Sequence, residues 1–162
     1  MLSLRRPNII DKEKILEMFQ EFQANSPQLH GCFNLDCLDY EAWLEQNLQY
    51  EMGFVPSTFV PNIEYVLVNQ DDQMLGFLNL RLRLNQSLLD KSGHIGFSIR
   101  PTEQLKGYGK KILGLGLCNN LQDILVTCHV SNNASRAVIL ANGGSFEDIR
   151  NEMERYWIHI MK

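Results

Sequence analysis

Between residues 74 and 84, leucines at 78, 80, 82 and 84 alternate with Asn79, Arg81 and Arg83. A period of two is the mark of a strand with one apolar and one polar face, so a long strand is predicted there with its leucines in the core. Before it, residues 64–69 carry Tyr65, Val66, Leu67 and Val68, and Asp71-Asp72 supplies a turn. The two segments therefore read as a hairpin. Residues 93–100 form a further strand stopped by Pro101. Residues 124–130 are an apolar run typical of a buried strand, and 146–149 with 153–160 read as a closing hairpin turning near Asn151. A short first strand over residues 2–6 ends at Pro7.

Elsewhere the period is helical. Ile15, Leu16, Phe19 and Phe22 share one face of a helix capped by Asp11 and ended at Ser26-Pro27. Tyr40, Leu44 and Leu48 stack at four-residue spacing behind Asp39, with Gly53 as the stop. A third helix carries Ile112, Leu113 and Leu117 after Gly109. A fourth carries Val138 and Ile139, capped by Asn132 or Asn133 and ended by Asn142-Gly143-Gly144. Residues 53–62, with Pro56 and Pro61, and the polar stretch 85–92 read as loops. The order β-α-α-β-β-β-α-β-α-β-β predicts an α/β fold of three layers, a mixed, mostly antiparallel twisted sheet flanked by helices.

No repeat or linker divides the 162 residues, so the expectation is one domain spanning 1–162. The net charge of −4 offers no basic field for nucleic acid or anionic lipid. No apolar run suits a signal peptide or a membrane span, and the expected location is cytoplasmic. Cys32, Cys37, Cys118 and Cys128 have no spacing that suggests a disulfide framework. His30, Cys32 and Cys37 lack a paired C-x-x-C, and no metal site is expected. Gly114 and Gly116 inside the third helix imply close packing of helix on sheet, since each costs about 1 kcal/mol of helix propensity relative to alanine.

The chemistry concentrates in residues 93–111, where a strand ends at Pro101 and a short loop with Gly107 and Gly109 runs straight into a helix. Amides at a helix start lack internal partners, and the helix dipole favours negative charge there. Glycine lets an anion approach the main chain. Lys106, Lys110 and Lys111 add positive charge. The loop is neither G-x-x-x-x-G-K-[ST] nor G-x-G-x-x-G, which takes support from kinase and dehydrogenase readings.

Gln104-x-x-Gly107-x-Gly109, set after Ile99-Arg100-Pro101 and before a helix, resembles the [QR]-x-x-G-x-[GA] signature of the GNAT N-acetyltransferase superfamily. Asn132-Asn133-Ala134-Ser135, entering a helix that ends at Gly143-Gly144, is similar to that family's second block. The likeness covers residue 64 to the C-terminus and matches the first 60 residues only in helix number. It implies the GNAT fold and acetyl-CoA as acetyl donor, with no metal. The amides of Gln104, Leu105, Lys106, Gly107, Tyr108, Gly109 and the following Lys110 would hold the pyrophosphate. Phe97, Ser98 and Ile99 would pair with the pantetheine arm like an added strand. Asn132 would contact the arm from the far side, with Ser135 in support. A homodimer is common among such proteins, and the terminal strands are where one would form.

The implied reaction moves acetyl directly from thioester to a primary amine of an acceptor that is either a small molecule or a protein. An amine of pKa near 10.4 is neutral in only about one molecule in 10³ at pH 7, at a cost of about 4.6 kcal/mol. A general base, a donor to the leaving thiolate and an N–H on the thioester carbonyl therefore help, with Ile99 the family-based candidate for the last. His94, at the start of the cofactor strand, and Glu64, at the start of an earlier one, are the candidate bases. Many relatives place a tyrosine acid in the helix after the asparagine block, but Ile139 occupies that position here. Tyr156 and Tyr108 are the substitutes. His129, closing its strand beside the expected splay, either touches the arm or caps a turn. The acceptor pocket falls to loops 26–38, 53–62 and 85–92. A non-catalytic acyl-CoA-binding or sensor module on the same fold is the alternative, motivated by Ile139.

Overall fold

The computed structural model describes residues 1–25 and 29–161. Its strands and helices follow the predicted order. β1 (Ser3–Arg5) leads through a single 3₁₀ turn into α1 (Lys12–Asn25), and α2 (Tyr40–Glu51) follows. β2 (Asn62–Val68), β3 (Met74–Arg81) and β4 (Ile95–Ile99) come next, then α3 (Tyr108–Gly116) and β5 (Asp123–His129). α4 (Asn133–Ala141), β6 (Ser145–Arg150) and β7 (Met153–His159) complete the chain.

Local chemistry explains the boundaries. Asp11 does not cap α1. Asn8 is the cap of the entering turn, accepting from Ile10 N–H, while Asp11 returns to the Asn8 N–H and is paired with Arg5. Asp11 is thus the far half of a capping box. Asp39 caps α2 by accepting from Ala42 N–H, and Asn132 caps α4 by accepting from Ser135 N–H. The predicted stop at Ser26-Pro27 lies outside the described residues. Asn151 and Glu152 both take positive φ, which gives the two-residue β6–β7 turn the twist its strands need.

The strands form two antiparallel sheets, ordered β1-β2-β3-β4 and β5-β7-β6. Helices cover both faces of the first sheet. On one face Ile15, Met18 and Phe22 of α1 and Trp43 of α2 pack on Val66, Val68 and Phe77. On the other, Ile112 and Leu113 of α3 and Ile139 of α4 pack on Leu67, Leu78, Ile95 and Val126. A Cβ on Gly116 would stand 2.7 Å from Leu78 Cδ1, which is the close helix-on-sheet approach its glycine predicted.

Two segments differ from expectation. β3 stops at Arg81 rather than residue 84. The stretch 85–92 is not plain loop, because Leu88–Ser92 forms a wide π-type turn. Asn85 starts it by accepting from Leu88 N–H. Arg155 then donates to Leu89 O, and Arg150 pairs with Asp90. Those tertiary bonds, invisible to local pattern, supply the partners its backbone needs.

Candidate functional site

β4 and β5 lie side by side but belong to different sheets. They are joined at one point, where His94 N–H donates to Leu125 O at 2.8 Å. Beyond it the two strands separate. Arg100 N–H bonds to Leu75 O, and the alternation of an antiparallel ladder turns the N–H groups of Phe97 and Ile99 away from β3, towards the split. Phe97, Ser98 and Ile99 therefore stand on the edge where an extended ligand can pair.

The open end of the split leads to residues 104–110. Gln104 is anchored at both ends, its N–H on Pro101 O and its side chain on Ile99 O. Leu105 and Gly107 take φ of 63° and 84°. Those left-handed residues turn the chain sharply into α3. Among the described residues, the amides of 105–110 find no backbone acceptor, the first bond being Lys111 N–H to Gly107 O. Nothing lies within 4 Å of where a Gly107 Cβ would stand. Lys106 pairs with Glu103, Lys111 lies over the Tyr108 ring, and Lys110 is exposed. This is a concave set of free N–H donors at the start of a helix, fitted to a phosphate. Across the split, the capping use of Asn132 Oδ1 leaves its amide NH₂ facing solvent, with Ser135 half-buried behind it.

His94 is 6% exposed and accepts at Nδ1 from Leu125 N–H, 2.9 Å away. The ring thereby closes the joint between the sheets. Burial, aided by the charge of Arg81, pulls its pKa down to about 4, so the imidazole is neutral with its proton on Nε2.

Tyr156 is buried in the core between β5 and β6, and its hydroxyl donates to Glu154. Glu154 also receives a bidentate pair of bonds from Arg136 and the Cys128 thiol. Burial and the Glu154 carboxylate raise the Tyr156 pKa. Tyr108 is half-buried at the first turn of α3. His129 accepts from Ser131 N–H, and so caps its turn. The three residues weighed for metal, His30, Cys32 and Cys37, do not gather into one. Among the described residues no cluster of His, Cys, Asp and Glu suits a metal ion.

Glu64 is buried opposite Asn79 across the β2–β3 ladder, and Asn62 is opposite Arg81. Asn79 donates to both Asn62 Oδ1 and Glu64 Oε2. Among the described residues, Glu64 Oε1 and Asn79 Oδ1 find no partner. Desolvation pushes the Glu64 pKa well above the ordinary carboxylate range, against weaker help from Asn79 and Arg81. Arg81 lies beside β4, since a Cβ on Gly96 would stand 3.2 Å from its guanidinium. The loop around Gly31 covers this corner, with a Gly31 Cβ only 2.6 Å from Gly96 O, and His30 N–H donates to Ser98 Oγ. Sequence reading named Glu64 but missed Asn79 and Arg81. Their alternation marks only a strand's polar face, and the signal lies in Glu64 meeting that face across the hairpin.

No family model matches the chain, and no curated protein sequence does either. Solved structures do. A ribosomal-protein-S5-alanine acetyltransferase from Vibrio fischeri superposes with a TM-score of 0.71 at 16% identity, covering 98% of this chain and 92% of its own. RimL, a ribosomal L7/L12 α-N-protein acetyltransferase in complex with coenzyme A, gives 0.70 at 17% identity over 98% and 94%. The microcin C7 self-immunity acetyltransferase MccE, in complex with acetyl-CoA and AMP, gives 0.69 at 15% identity over 98% and 92%. The chain has the fold of the GNAT acetyltransferases.

Proposed function

We propose that residues 1–162 form one acetyl-CoA-dependent N-acetyltransferase domain acting on a primary amine in the cytoplasm. One observation carries the reading: the free amides of residues 105–110 open onto the split between β4 and β5. RimL and MccE, which share the fold, hold coenzyme A and acetyl-CoA. The turn fits a pyrophosphate, and the outward N–H groups of Phe97 and Ile99 fit a pantetheine amide. The bound donor would supply an activated thioester.

The chain's own part is to orient the amine and take its proton. Glu64 is the better placed base. Its free Oε1 accepts the proton, and its raised pKa brings it towards neutrality, where a base is most effective. His94 has its Nδ1 occupied and its pKa depressed, and serves better to hold the joint. The amine nitrogen forms its bond to the carbonyl carbon as the carbon–sulfur bond breaks. The amine proton passes to Glu64 and on to solvent, and the thiolate takes a proton from solvent. Tyr156 already donates to Glu154 and is less suited to that last step.

A non-catalytic acyl-CoA-binding module is the second reading, favoured by the buried Ile139 where an acid is expected. Thermal shift with CoA and acetyl-CoA tests the cofactor site, since ligand at 100 times Kd stabilises by about 2.7 kcal/mol. No shift would sink both readings. A shift without thiol release on any amine would favour the module.

A further inference from the structure

Arg81 is a cation without a matching anion. Among the described residues its guanidinium forms no ion pair, and the one hydrogen bond of that group is a long 3.4 Å contact from Nη1 to Ser92 O. Phe33 backs its guanidinium, 5.7 Å from ring centroid to Cζ. Gly96 has no side chain to hold it off β4. Burial lowers its pKa to about 10, only partly countered by Glu64. A desolvated guanidinium gains most from a planar two-oxygen partner.

The opposite need lies next to it. Glu64 Oε1 and Asn79 Oδ1 are buried acceptors with no donor among the described residues, and an unpaired buried acceptor is costly. Asn79 and Arg81 are two residues apart on one strand face, about 6.8 Å along the chain. A molecule with an amine and a carboxylate on one carbon offers a donor to these oxygens and a two-oxygen partner to the guanidinium. Arg81 and Phe33 are half-buried and His30 is exposed, so this corner reaches the surface on that side.

We propose that Arg81 binds a carboxylate of the acceptor while Glu64 and Asn79 hold its amine, so that the acceptor class is a free amino acid or a similar aminocarboxylate. The assignment rests on the acetyltransferase reading. It makes Arg81 a specificity determinant rather than part of the transfer chemistry.

The test uses the full chain with a panel of amino acids and their carboxamides. Two quantities are measured: calorimetric binding to the CoA-saturated protein, and thiol release from acetyl-CoA. At least one amino acid should bind, and be acetylated at least tenfold more efficiently than its carboxamide. Arg81→Gln should abolish that preference with CoA affinity unchanged, and Arg81→Lys should restore part of it. Phe33→Leu, which keeps the charge and removes the backing ring, should reduce the preference severalfold even if Arg81→Gln fails to fold. Carboxamides or plain alkylamines used as well as amino acids would overturn the assignment, as would a preference that survives Arg81→Gln. Binding of an amino acid without thiol release would leave the carboxylate site standing and remove the transfer reading. Thiol release with carboxyl-free amines alone would do the reverse.

Discussion

Glu64 and His94 are buried ionisable groups that impose opposite dependences on pH. The folded Glu64 keeps its proton to higher pH than the unfolded chain does. Stability therefore falls as pH rises from the unfolded value to the folded one. Glu64→Gln should remove that slope and melt higher than wild type at neutral pH, while lowering kcat by about 10² or more if Glu64 is the base. Wild-type kcat should rise with pH through the raised pKa of Glu64, whose charged and titratable neighbours are Arg81 and Cys32. Activity retained in Glu64→Gln would remove the base assignment. His94 runs the other way. Unfolded it binds a proton near 6.5, folded only near 4, so stability is lost as pH falls from about 6.5 and the loss is complete below about 4. The difference is worth about 3 kcal/mol. A His94→Gln variant should show a flatter acid limb in urea titrations at pH 4 to 7. An unchanged limb would mean that His94 binds its proton equally in the folded and unfolded states.

At the level of elements, the turn into α3 was legible because its requirements are local. Gly107 marks the left-handed residue before the helix start in the sequence, whereas Leu105 takes the same conformation with no glycine to announce it. Element order was legible for the same reason, as strand and helix periods are short-range. The corner around Glu64, Asn79 and Arg81 was not. Asn79 and Arg81 look like any solvent face until β2 is laid beside β3 and the Gly31 loop is folded over both. The π-type turn at Leu88–Ser92 was hidden likewise, since its partners are on β7 and β6. The local case gives a clean test. Gly107→Ala meets no steric neighbour, but it forces a side chain into φ of 84°. It should cost about 1 kcal/mol of stability, and weaken CoA by more than that strain explains if the open space beside Gly107 is where the phosphate lies. Equal losses in CoA affinity and stability would mean that the anion sits elsewhere.

For the whole molecule, the width of the split between the two sheets is held from both sides. His94 and Leu125 close it at its apex. The Leu88–Ser92 turn ties its back, with Thr127 donating to Lys91 O and Arg155 to Leu89 O. Arg155 is 1% exposed and is held in turn by Glu147 and Asp148, which are themselves partly exposed. Such a cation cannot be replaced by an apolar side chain without freeing the turn. Arg155→Met should cost about 3 kcal/mol, the scale of losing charged hydrogen bonds at a buried site. The sharper expectation concerns the cofactor. If the turn sets the spacing of β4 and β5, Arg155→Met should weaken CoA binding even at temperatures where the variant is fully folded. No Arg155 atom needs to touch the ligand for this to occur. Calorimetric titration well below the melting transition separates the two effects. A variant that melts earlier yet binds CoA as tightly as wild type would show that the apex joint alone fixes the split.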